Sequence, residues 1–290
     1  MDSKLVVDIQ KDLNWIYQAP PLMLAPIGIA ELFTPSAPAS VKLAQNTLLK
    51  LPAPPRYRLG KQFEETVSLL LNNNPLCASL IARNTPITVN KQTLGELDFL
   101  YRDNRGDVVH LEVAIKFYLF TAPYNGLSSF IGPGGRDRLD KKWQRLTEHQ
   151  LQLSHQTIVQ NYLIEHHIPV PTKQELLLTG YLFYPIGFSD TCALPHEINP
   201  KHLKGWWCYP NQLHQLDTDE DVRFYILPRY HWIAGILHQT SDDSMSFKEL
   251  AYRVEDLNLP CMIAVTRMDA TGVRKEESRG FIVPDNWPKR

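Results

Sequence analysis

Apolar residues at Leu59, Phe63, Val67, Leu70 and Leu71 recur near the helical period and predict a helix opening at Leu59. Further on the period drops to two. Leu97, Phe99 and Tyr101 alternate with Glu96, Asp98 and Leu100, and Val108 to Tyr118 is rich in β-branched and aromatic residues. Asp103-Asn-Arg-Gly106 between them supplies a polar turn, so the two runs read as a hairpin. Phe117-Tyr-Leu-Phe120 ends the second strand, and a loop runs from Ala122 to Gly135. Helical spacing returns from Arg136, with Leu139, Trp143, Leu146, Gln150 and Leu153 as its inward stripe. A helix over about Thr157 to His167 precedes Pro169 and Pro171, and Glu175 to Tyr184 is the near-continuous apolar run of a buried central strand.

The flanks are patterned differently. Residues 1–18 read as a short amphipathic helix through Leu5, Val6, Ile9, Leu13, Trp15 and Ile16. Prolines recur from Pro20 to Pro55 with Leu, Ile and Phe interleaved, as in a segment that wraps over a core. Beyond about Leu194 the chain is dense in aromatics, which are core material before they are base-stacking platforms. Val222 to Ile236 predicts a pair of strands, Phe247 to Leu257 a helix, and Cys261–Arg267 and Arg279–Pro284 further strands. The division expected is 1–56 as N-terminal helix and wrap, 57–190 as core, and 191–290 as an aromatic-rich α+β subdomain.

Composition narrows the class. With 290 residues, 43% hydrophobic content and 21% charged content, the chain can bury a substantial core and is not of disordered composition. No apolar run approaches the roughly 18 residues that span a membrane, and Met-Asp-Ser-Lys lacks a signal-peptide pattern, so no signal peptide is expected. Cys77, Cys192, Cys208 and Cys261 are few and scattered, as in reduced thiols. The expectation is a cytoplasmic, soluble protein. A net charge of −1 leaves no overall basic field, so any nucleic-acid groove must be local.

The chemistry concentrates in the hairpin. Asp98 and Glu112 fall on its two strands, and side-by-side carboxylates build half of a divalent-cation site, with water and substrate phosphate completing the shell. The strand Gly95-Glu-Leu-Asp98, the turn, and the strand Leu111-Glu112-Val-Ala-Ile-Lys116 resemble the PD-(D/E)XK restriction-endonuclease-like nuclease superfamily. That resemblance implies an α+β core of helix, three antiparallel strands, helix and strand, covering about residues 57–185, with a further acid on the first helix. It implies magnesium or manganese on Asp98 and Glu112, Glu64 (or Glu65) assisting, and Lys116 positioning water or stabilising charge. The reaction implied is phosphodiester hydrolysis of nucleic acid, DNA before RNA. The whole chain also resembles an uncharacterised bacterial family known only as a domain of unknown function. Gly60-Lys-Gln-Phe-Glu64, Glu112-Val-Ala-Ile-Lys-Phe-Tyr-Leu119 and His202-Leu-Lys-Gly-Trp-Trp207 carry that second resemblance.

One position departs from the superfamily pattern. Its lysine follows the glutamate by two residues, where this chain has Ala114, and the lysine comes at Lys116. Four residues keep one strand face, but the span is roughly 13 Å at about 3.3 Å per residue. Lys141, Lys142 or Lys61 could substitute from neighbouring helices. The shift motivates a second reading, a non-catalytic module that binds nucleic acid or a protein partner. Arg136, Arg138, Lys141, Lys142 and Arg145 are candidates for nucleic-acid backbone contacts, although Asp137, Asp140 and Glu148 among them suit a solvated face with its own ion pairs. Cys192, His196, His202, Cys208 and His214 are too loosely spaced to predict zinc.

Overall fold

The computed structural model describes residues 3–24, 59–73, 77–188, 194–216, 219–236 and 244–288. Most of the proline-rich segment and Cys192 lie outside the described residues. The fold is mixed α/β, in two compact units that interleave along the chain. The first takes in the described parts of Met1–Pro54, with Gly60–Ile115 and Lys141–Thr179. The second takes in Leu59, Lys116–Asp140 and the described parts of Gly180–Arg290.

In the first unit, helix α1 (Ser3–Gln18) buries Ile9, Leu13, Ile16 and Tyr17. Helix α2 (Leu59–Asn73) buries Phe63, Val67, Leu70 and Leu71, four of the five positions of its apolar stripe. The two helices are tied by Gln62 Nε2 donating to Asp12 Oδ2 at 2.7 Å. Strands β1 (Cys77–Val89), β2 (Gln92–Asp103) and β3 (Val108–Phe120) follow as an antiparallel meander. Asp103 closes the β2–β3 turn by accepting from the N–H groups of Arg105 and Asp107, and Gly106 takes the positive φ of 93°.

Between β3 and β5 (Lys173–Pro185) come helix α3 (Leu139–Gln144), a π-helical stretch (Arg145–Gln150), a 3₁₀ turn (Leu153–His155) and helix α4 (Thr157–Glu165). Leu153, Val159 and Leu163 pack on Ile87, Leu97 and Leu100. The strand order is β1-β2-β3-β5, so β3 has a strand on each side and almost no exposed residue. Strand β1 was not expected from periodicity, and the helix expected from Arg136 begins at Leu139.

In the second unit, β4 (Phe130–Ile131) pairs with the end of β3. The end of β5 is followed in order by β6 (Leu203–Cys208), β9 (Arg274–Ile282), β8 (Cys261–Met268) and β7 (Arg223–Leu227). Strand β6 is parallel to β5 and to β9, while β7, β8 and β9 are antiparallel. Helix α5 (Phe247–Val254) opens with Ser246 and Glu249 capping each other. The second strand expected within Val222–Ile236 is a 3₁₀ turn instead (Arg229–His231), because Pro228 has no N–H to give a ladder.

Candidate active site

Strands β2 and β3 pair from Arg102↔Val108 to Phe99↔Leu111, and one more step of that register sets Asp98 opposite Glu112. There side chains enter the backbone pairing. The Val113 N–H donates to Asp98 Oδ2 at 3.0 Å, and the Asp98 N–H reaches Glu112 Oε1 at a long 3.5 Å. Both acids lie in the first unit, as does Glu64 on α2.

Like charges directly opposed across a sheet are destabilising. Burial, the Glu112 charge and, more weakly, Glu64 push the Asp98 carboxyl up to about 8, against the pull of the Val113 N–H and the Lys142 ammonium. Glu112 is fully buried and held on both oxygens. His110 Nε2 meets Oε1 at 2.9 Å, and Gln150 Nε2 donates to Oε2 at 2.6 Å. His110 is itself fully buried, with Nδ1 against Ser154 Oγ at 3.0 Å. Lys142 Nζ donates to Gln150 Oε1 at 3.2 Å, so one glutamine links that lysine to Glu112.

The helix acids have their own partners. Glu64 Oε2 accepts from Lys61 at 3.1 Å and from Asn84 Nδ2 at 3.1 Å. Glu65 takes both guanidinium nitrogens of Arg83, at 2.8 and 2.9 Å, which leaves Glu64 as the acid whose charge acts on Asp98.

Among the described residues no three His, Cys, Asp or Glu side chains are grouped to hold a metal ion. Asp98 and Glu112 are two carboxylates only, with both Glu112 oxygens already partnered, and such a set is too small for a structural zinc. Of the loose Cys/His set, Cys192 lies outside the described residues; His202 Nε2 bonds the Tyr184 hydroxyl, and His196 is exposed beside Glu197.

The lysine and arginine candidates divide between the units. In the second, Lys116 Nζ lies 2.6 Å from Asp137 Oδ2, and Arg138 pairs with Asp140. Arg136 is exposed. In the first, Lys141 and Arg145 are exposed and Lys142 is half-buried.

Sequence reasoning passed over His110, Ser154, Asn84 and the hydrogen-bonding role of Gln150. A signal existed for two of them. His110 shares the strand face of Glu112, and Gln150 is the one polar member of an apolar helical stripe.

No helix among the described residues is long and apolar enough to cross a membrane. No curated protein and no solved structure matches the chain. A family model described as "Domain of unknown function (DUF1853)" matches residues 11–283, nearly the whole length. The chain belongs to the DUF1853 family.

Proposed function

We propose that the protein is a metal-dependent phosphodiesterase of nucleic acid, with Asp98 and Glu112 as metal ligands. One observation carries this: two carboxylates face each other where β2 and β3 part, crowded enough that Asp98 is held up to about 8. Structural carboxylates are ordinarily paired with cations; two opposed acids, Glu112 fully buried and Asp98 half-buried, cost stability and are a functional-site candidate. The order α2, three antiparallel strands, a helical segment and β5 supports the same reading, since it follows the order that the nuclease resemblance implies.

A bound magnesium or manganese ion would polarise the scissile phosphate and lower the pKa of a coordinated water. The chain's part is to hold the carboxylates in place. His110 and Gln150 fix Glu112, and the Val113 N–H fixes Asp98. In hydrolysis the water oxygen joins phosphorus, one P–O ester bond breaks, and the displaced alkoxide leaves with a proton. DNA is the first substrate to test, and the unpaired thiols of Cys77, Cys208 and Cys261 suit a reducing cytoplasm.

A second reading is a non-catalytic module that binds nucleic acid or a protein. Two observations favour it: both Glu112 oxygens are already occupied, and the Lys116 charge lies against Asp137. Cleavage assays on duplex, single-stranded and branched DNA and on RNA, in manganese with a chelator control, decide between the two. The nuclease reading expects cutting that Asp98→Asn and Glu112→Ala both abolish. Cutting that survives both substitutions, or its absence on every substrate with well-folded protein, would refute it.

A further inference from the structure

The superfamily resemblance assigns the cation of the site to Lys116, yet that side chain is held at 2.6 Å by Asp137. The first unit contains another lysine beside the acids. Lys142 donates to Gln150 Oε1 at 3.2 Å while the amide nitrogen of the same glutamine holds Glu112 Oε2 at 2.6 Å. A carboxylate, an amide and an ammonium thus form one chain, with the amide's donor and acceptor ends each correctly used.

The backbone makes that chain possible. Lys142 and Gln150 are eight residues apart, and the helix widens between them into a π-helical stretch, closed by the Leu151 N–H donating to Leu146 O at 3.0 Å. Such i→i+5 stretches are rare and are found frequently at functional sites.

We infer that Lys142, positioned through Gln150 at the Glu112 carboxylate, is the cation that meets a phosphate of the bound nucleic acid. The inference rests on the proposed phosphodiesterase reading and names a residue for its charge-stabilising role. An ammonium carries three rotatable donors, so a lysine that holds an amide oxygen can also meet a phosphate oxygen. Charge accumulating on the non-bridging oxygens during phosphoryl transfer is met by such preplaced cations.

The test uses the full-length protein and a short fluorescein-labelled duplex, its single strand, and an RNA of the same sequence. Anisotropy is read in EDTA over a salt series, and single-turnover cleavage in manganese. Lys142→Met should weaken binding about tenfold and flatten the logarithmic salt dependence by roughly one phosphate contact. Lys142→Arg should restore the salt slope, which loss of folding or of packing would not allow. In manganese, Lys142→Met should slow the cleavage step about a hundredfold. An unchanged salt slope in Lys142→Met, or a larger loss in Lys116→Met than in Lys142→Met, overturns the inference. If that happens while Asp98→Asn still abolishes cutting, the phosphodiesterase reading survives alone. If Lys142 governs binding and no substrate is cut, Lys142 stands as a phosphate contact and the catalytic reading falls. Absence of binding to all three probes overturns both.

Discussion

Asp98 and Glu112 each reach into the other's strand: the Asp98 carboxylate accepts the Val113 N–H at 3.0 Å, and Glu112 Oε1 lies 3.5 Å from the Asp98 N–H. The exchange places two like charges together at the cost of regular backbone pairing. It also pushes the Asp98 carboxyl up, and a pH dependence follows from it.

With the Asp98 carboxyl held up to about 8, the folded protein keeps a proton that the unfolded chain has already released above the ordinary carboxylate range. The folded state therefore binds more protons, and stability falls as pH rises through the window between about 4 and about 8, then levels off. Asp98→Asn removes that titration. Urea denaturation should show the variant gaining stability relative to wild type as pH rises from about 4 to about 8, and little changed near pH 4. A constant difference across the window would mean that Asp98 ionises normally.

A divalent cation should reverse the same penalty. If Asp98 and Glu112 bind magnesium or manganese, the metal stabilises the folded state by mass action, about 2.7 kcal/mol at a hundred times the dissociation constant. The melting temperature of wild type should rise with added manganese, while the Asp98→Asn, Glu112→Gln double variant should not respond. Equal shifts in the two proteins would place the metal elsewhere.

How far the site could be read from the chain depends on period. Asp98 and Glu112 were legible because strand alternation and a four-residue turn fix which positions oppose each other, and Gly106 at φ 93° supplies the conformation the turn needed. Helix α2 opens at Leu59, where its apolar stripe begins. Lys142 and Gln150 were not legible as a pair, since the π-helical stretch breaks the 3.6-residue period that placed Gln150 among the apolar positions. Strand β1 escaped because Asn84, at φ 45°, and Pro86 interrupt its alternation, and because it pairs with β2 through several register shifts. Strand β6 contains Gly205, whose Cβ would strike the Phe183 ring; only the tertiary partner explains a glycine there.

His110 is predicted to be worth more than its hydrogen bonds. It is fully buried between Glu112 and Ser154, so His110→Ala leaves a cavity and removes a partner from a buried carboxylate. A loss of about 2–4 kcal/mol is expected by urea denaturation with an unchanged denaturant slope, against about 1 kcal/mol for Ser154→Ala. Similar costs for the two variants would show that the histidine does not support Glu112.

Two glycines give opposite expectations. Gly180 in β5 has φ 140°, and a Cβ there would collide with the carbonyl oxygen of Lys116 in β3 and lie 3.0 Å from its nitrogen. The obstacle is backbone, so no rotamer relieves it and the strands must part. Gly180→Ala should cost more than about 3 kcal/mol or prevent folding. Gly60 in α2 has open space around its Cβ position. There Gly60→Ala should stabilise by about 0.5–1 kcal/mol, through the helix propensity of alanine and the lost freedom of the unfolded chain. Thermal and urea denaturation of both variants checks the pair. A Gly180→Ala protein as stable as wild type would mean that β3 and β5 do not approach as closely as described.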